Sequence, residues 1–242
     1  MSASPGPAVM HDGAAPGAMP APRRNRLVWL ADAAWARLAA QDGQDETGRA
    51  VLGHWRAQRL PLVVARPSLQ LPAGRVALGL PAPERWQRRR LSLQAGLDEI
   101  ERQGRFPSLA DVVRAQGWDG EAAALADALA ALGADARVYG SLGWELLSGE
   151  RYLRAASDID LSVEVRDFAH ARAVLALLEP ARLPRRLDGE LVLADGSALA
   201  WRELGQLLAG RASQVLLKRA DGVALAGLDE LRRSADAAAA AA

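Results

Sequence analysis

The stretch from Arg137 to Val165 restricts the possible folds more than any other part of the chain. Arg137-Val138-Tyr139 predicts a short strand that runs into Gly140-Ser141. A small apolar helix is expected from about Leu142 to Leu147, stopping at Gly149. Asp158 to Val165 then alternates polar and apolar residues as a second strand, opening on Asp158-Ile159-Asp160.

Each half of this pattern has a chemical reading. Asp158 and Asp160 are two residues apart on a strand, so both carboxylates point one way while Ile159 and Leu161 point to the core. Two carboxylates about 4 Å apart repel by roughly 4 kcal/mol at an intermediate dielectric, and a divalent cation would remove that penalty. Oxygen ligands select a hard ion, and Mg²⁺ typically takes one or two carboxylates plus substrate phosphates. Gly140 lets a phosphate approach the backbone, and the helix start with the Ser141 hydroxyl offers donors to an anion. A solvent-facing strand edge would explain the two aspartates alone, and an ordinary helix cap would explain Gly-Ser alone. Together they describe one site for a metal and a polyphosphate, suited to phosphoryl or nucleotidyl transfer.

Several further residues are candidates for the same site. Glu190, on the strand after Leu187-Asp188-Gly189, is the first choice for a third carboxylate and Asp188 the second. Arg151 and Arg154, in the loop before the aspartates, are placed to clamp phosphates or to remain solvated charges. Lys218, on a strand, reads as a surface lysine before a phosphate contact, and Trp144 as core before the wall of a base pocket.

Composition excludes other chemistries. There is no cysteine, which rules out disulfides, thiolate metal sites and cysteine nucleophiles. The three histidines are scattered, at His11, His54 and His170. Thirty basic residues, all arginine except Lys218, face 29 acidic ones, for a net charge of +1. That balance argues against a broad grip on nucleic acid. No apolar run approaches the roughly 18–20 residues that span a bilayer, and the N-terminal stretch lacks a signal-peptide pattern. A cytoplasmic protein without a membrane partner is expected.

The chain divides, on this reading, into a disordered Ala/Gly/Pro-rich tail over 1–22, a smaller N-terminal α+β domain over 23–118, a mixed-sheet α+β domain over 119–234 and a disordered Ala-rich tail over 235–242. Within the first domain, strands are expected at Leu62–Val64 and Arg75–Leu80, and residues 84–103 read as helical. Within the second, a hairpin is expected at 190–201, a helix from Trp201 to Leu208 and a tight turn at Asp221-Gly222.

The block GSLGWELLSGERYLRAASDIDLSVEV resembles the phosphoribosyl-dephospho-CoA transferases of bacterial malonate decarboxylase, within the DNA polymerase beta-like nucleotidyltransferase superfamily. PLVVARP, VALGLP and RLDGELVLADGSALAWREL agree with it, over about residues 24–230. The resemblance implies an enzyme that moves a phosphoribosyl-dephospho-CoA group from its triphosphoribosyl donor to a serine of an apo acyl carrier protein, with release of pyrophosphate. It implies Asp158 and Asp160 as the catalytic, Mg²⁺-binding pair, and Gly140 and Ser141 as holders of the triphosphate. It also implies a role for Glu190. The Arg-rich stretches at 85–90 and 182–186 are candidate surfaces for the acidic carrier protein. Two other functions keep the residues in use: an ATP-dependent nucleotidyltransferase acting on a small molecule or another protein, and a catalytically silent domain that binds nucleotide or a partner.

Overall fold

The computed structural model describes residues 21–41, 44–66, 71–219 and 222–240. Residues 1–20 of the expected N-terminal tail, and Asp221 of the expected turn, lie outside them. The chain forms two compact units. One comprises residues up to Phe106 together with Leu147–Tyr152, and the other Pro107–Leu146 and Leu153 onward. The boundary therefore falls between Phe106 and Pro107, not at 118/119. The reason is local: Ser108 caps the next helix, Leu109–Gln116, in a reciprocal box with Asp111. Its buried Leu109, Val112 and Val113 belong to the second unit's core.

The first unit has β1 (Leu27–Leu30), α1 (Asp32–Ala40), α2 (Glu46–Ala57), β2 (Leu62–Val64), β3 (Arg75–Pro81), β4 (Arg90–Gly96) and β5 (Ile100–Gly104). The strands form one antiparallel sheet in the order β4-β3-β2-β1-β5. Of residues 84–103, expected to be helical, only Glu84–Trp86 and Leu97–Glu99 are, each as a single 3-10 turn; β4 and β5 take most of the rest. Leu91, Leu93 and Ala95 alternate inward with Arg90, Ser92 and Gln94, and β3 pairs with them from Arg75↔Gly96 to Pro81↔Arg90. Arginine and glutamine favour helix weakly, and a paired partner strand overrides that preference. Trp35 and Leu38 of α1 and Val51, Leu52 and Trp55 of α2 supply the helical part of the core. The Trp55 indole donates to the carbonyl of Pro61 at 3.1 Å. The Leu147–Tyr152 segment joins this unit through the Tyr152 hydroxyl, which donates to the carbonyl of Pro81 at 2.7 Å.

The second unit follows as α3 (Leu109–Gln116), α4 (Glu121–Ala131), β6 (Asp135–Tyr139), α5 (Gly140–Ser148), β7 (Ile159–Glu164), α6 (Phe168–Leu178), β8 (Leu187–Val192), β9 (Ala198–Ala200), α7 (Trp201–Leu208), β10 (Val215–Lys218), β11 (Val223–Ala226) and α8 (Leu228–Ala240). Its sheet has the order β11-β10-β9-β8-β7-β6. Every pairing is antiparallel except β7 with β8, which run parallel across the α6 connection. Ile159, Leu161 and Val163 of β7, with Val138 of β6 and Leu191 of β8, form a buried apolar layer with α4 and α6 residues such as Leu129 and Val174. The C-terminal tail expected at 235–242 is helix as far as Ala240. Ala235 is buried, four residues after buried Leu231, and Asp236 accepts a hydrogen bond from the Phe168 amide at 3.3 Å. An Ala-rich segment needs only one such apolar stripe to dock. No described helix is long and apolar enough to cross a membrane.

Candidate active site

The parallel register of β7 and β8 builds the site. Ile159 pairs with Leu187, Asp160 with Asp188 and Ser162 with Glu190. Because parallel partners share a face, Asp160, Ser162, Asp188 and Glu190 project from the side of the sheet opposite to buried Ile159 and Leu161. One residue before β7, Asp158 meets Arg186, one residue before β8. The guanidinium grips the carboxylate with two hydrogen bonds, Nε to Oδ1 at 3.1 Å and Nη2 to Oδ2 at 2.7 Å. Arg186 also reaches Asp188 at 3.5 Å, and Arg202 lies 3.7 Å from the other Asp188 oxygen. Arg202 is steadied by stacking over Trp201 and by donating to the carbonyl of Leu187.

The glycine-serine turn comes to the same place. Tyr139 pairs with Asp160 across β6 and β7, and α5 starts at the next residue, Gly140. Gly140 has φ +63°, and a Cβ added there would lie 2.9 Å from the Asp160 Cγ and would overlap its carboxylate. Glycine is thus required twice over, by the left-handed backbone and by the room the carboxylate takes. Gly189, between Asp188 and Glu190, has φ +134°, and a Cβ there would run into the backbone of Leu161. Only glycine lets β8 approach β7 closely enough to set Asp188 beside Asp160.

The two aspartates differ electrostatically. Burial, then the charges of Asp188 and Asp158, push the Asp160 carboxyl up to about 6 from 3.8, with Arg186 opposing. Asp158 is held below its ordinary value, chiefly by its hydrogen bonds from Arg186. Asp160 is therefore a carboxylate short of positive charge, whereas Asp158 already has a cation. Among the described residues no group of three or more His, Asp or Glu converges closely enough to hold a metal by itself. The donor set fits a hard ion that completes its coordination with ligand oxygens: carboxylates only, two of them adjacent, one destabilised by negative charge.

The remaining candidates go to different places. Glu190 is 2 % exposed, and the Lys218 ammonium lies 3.2 Å from its Oε2. Asp188, not Glu190, is the register partner of Asp160. Lys218 is thus an ion-pair partner of a buried carboxylate and not a solvated surface lysine. Arg151 is held in the first unit: its Nε lies 3.2 Å from Glu84 Oε2 and its side chain is 83 % exposed. Arg154 is exposed in the loop before β7, where its amide donates to the Ser157 hydroxyl at 2.9 Å. Its side chain makes no contact with the carboxylates among the described residues. The arginines at the acidic site are Arg186 and Arg202. Alternation could have found the first, because Arg186, Asp188 and Glu190 lie at two-residue spacing as Asp158 and Asp160 do. Trp144 is buried as expected.

These features define a two-domain α+β protein whose second unit sets an acidic strand pair against a glycine-opened helix start. Two family models cover it in the same order: the phosphoribosyl-dephospho-CoA transferase MdcG N-terminal domain matches residues 23–106, and the MdcG C-terminal domain residues 107–228. The chain belongs to the phosphoribosyl-dephospho-CoA transferase family. A relative of that name from Xanthomonas campestris is 36% identical over 206 residues, covering 84% of this chain and 92% of its own. One from Bradyrhizobium diazoefficiens is 37% identical over 210 residues, covering 84% and 89%. One from Pseudomonas fluorescens is 39% identical over 168 residues, covering 67% and 76%. No solved structure matches the chain significantly.

Proposed function

We propose that this protein transfers 2′-(5″-phosphoribosyl)-3′-dephospho-CoA from its triphosphoribosyl donor to a serine of the apo acyl carrier protein of malonate decarboxylase, releasing pyrophosphate. The second unit is read as a polymerase beta-like nucleotidyltransferase domain. The observation that carries this reading is the closeness of Gly140 to the Asp160 carboxylate, which supports a helix start and an acidic strand acting on one ligand.

Asp158 and Asp160 would hold Mg²⁺, which when bound neutralises phosphate charge and lets the two carboxylates ionise together. The α5 start at Gly140 and Ser141 binds the donor's triphosphate. The serine oxygen of the carrier attacks the α-phosphorus in line. An Oγ–P bond forms, the bond from that phosphorus to the β-phosphate oxygen breaks, and pyrophosphate leaves with the electron pair. Asp188, beside Asp160, takes the serine proton. Arg186 exchanges its hold on Asp158 for the departing pyrophosphate, with Arg202 beside it; such a forked donor is suited to phosphate oxygens. Glu190 is assigned a supporting role, its charge held by Lys218.

The test is to incubate the protein with triphosphoribosyl-dephospho-CoA, Mg²⁺ and apo carrier protein, then weigh the carrier. The expected result is a mass gain of one phosphoribosyl-dephospho-CoA group on a serine peptide, lost in Asp158→Ala. A carrier modified only when ATP is supplied, by a nucleoside monophosphate, would overturn the donor assignment.

A further inference from the structure

A cavity of about 590 Å³ opens in the second unit next to the acidic pair. It shares Asp158 and Arg186 with that site, and its other walls include Gln116, Trp118, Leu142 and Leu153. We propose that this cavity seats the adenosine moiety of the donor, with Trp118 and Gln116 contacting the base. The proposal rests on the transfer reaction above and names the subsite that reaction leaves open.

Three observations lead there. The first is placement. In the donor one ribose separates the triphosphate from the 2′-oxygen of the adenosine. A donor whose α-phosphate lies at the acidic pair therefore has its adenosine a sugar's length from that pair, and its pantetheine arm farther off on the 5′ side. The cavity is lined by Asp158 of that pair and by its partner Arg186, and so lies within that reach.

The second is chemistry. The volume falls within the roughly 300–1,000 Å³ of small-molecule sites, which combine apolar walls with a few polar groups. Here Trp118, Leu142 and Leu153 offer an apolar side to a purine face, and Gln116 offers both an amide donor and an acceptor to its edge. Trp118 is half-buried, unlike the tryptophans sealed in the core.

The third is rigidity. Trp118 follows the end of α3, where Gly117 takes φ +63° and the Trp118 amide donates to the Val113 carbonyl at 2.9 Å. Another wall, residues 155–157, is stapled by Arg185, whose Nη1 donates to the carbonyls of Arg154, Ala155 and Ser157 at 2.8, 3.0 and 3.3 Å. Walls fixed before binding lose little entropy when a ligand arrives.

The experiment is calorimetric titration of the full chain with dephospho-CoA, which carries the adenosine and lacks the triphosphate. Trp118→Ala should weaken binding about tenfold to a hundredfold, the range for loss of a base-stacking aromatic. Trp118→Phe should weaken it less. Gln116→Ala, at an exposed position, should weaken it about threefold to tenfold and carries the test if Trp118→Ala fails to fold. AMP should displace dephospho-CoA, and phosphopantetheine should not. In turnover assays the same variants should raise the donor KM while changing kcat less than about twofold. Unchanged binding in the variants, no binding by the wild type, or displacement by phosphopantetheine alone would each overturn the assignment. A wild type that binds dephospho-CoA through Trp118 yet modifies no carrier would instead overturn the transfer reaction and leave the nucleoside seat standing.

Discussion

Asp160→Asn tests the electrostatics of the site without needing a substrate. In the folded protein the Asp160 carboxyl lies at about 6, against 3.8 unperturbed, because of burial and the Asp188 and Asp158 charges. The folded state therefore holds that proton more tightly than the unfolded state does. The stability tied to this group is greatest below the unfolded value and is lost as pH rises through about 6. In full the rise is worth about 3 kcal/mol; solvent screening of a partly exposed carboxyl reduces this to about 1–2 kcal/mol. Asparagine carries no charge at either pH. In metal-free buffer with chelator, Asp160→Asn should be more stable than wild type by about 1–2 kcal/mol at pH 8, or about 2–6 °C in melting temperature. The difference should shrink at pH 4.5, where the folded wild type carries the proton. Urea unfolding at the two pH values measures it. Adding Mg²⁺ at pH 8 should raise the wild-type midpoint and leave the variant unmoved. A variant less stable than wild type at pH 8, or a difference independent of pH, would refute the reading of Asp160 as a carboxylate lacking its cation.

Two other substitutions probe the supporting frame. Gly140→Ala forces a Cβ onto the Asp160 carboxylate in a left-handed backbone. It should lower kcat/KM about 100-fold and stability by about 1–2 kcal/mol, read by carrier modification and urea melts; near-normal turnover would mean the turn does not position the site. Lys218→Met leaves the buried Glu190 carboxylate without that ammonium and should cost about 2–3 kcal/mol, partly restored in Lys218→Met/Glu190→Gln. Glu190→Gln should keep most transfer activity where Asp188→Asn loses it, and the reverse outcome would return the third-carboxylate role to Glu190.

What could be read in the sequence was local. The alternation around Ile159 and Leu161 set Asp160 on the face opposite the core, because side-chain direction on a strand depends only on position; Asp158 lies one residue ahead of the strand. The apolar spacing of Trp201–Leu208 likewise marked a helix that the structure contains. The same approach failed at Arg90–Gly96, where the mixture of arginine and apolar residues suits either element until β3 supplies a partner. It failed again at α8, where docking on α6 orders a segment whose composition alone does not specify order.

The sequence by itself determined that two carboxylates and a glycine-opened helix start exist, since both are set by neighbours in the chain. Tertiary structure alone decided which residues accompany them. The parallel register of β7 with β8 brings Arg186 to Asp158 and Asp188 to Asp160, and directs Glu190 to Lys218 instead. The packing of Leu147–Tyr152 draws Arg151 into the first unit. The physical reason is that a strand's register with a distant partner is chosen by burial of its whole apolar face. A shift of one residue would turn every side chain on β8 to the opposite side, and no stretch of sequence records that choice on its own.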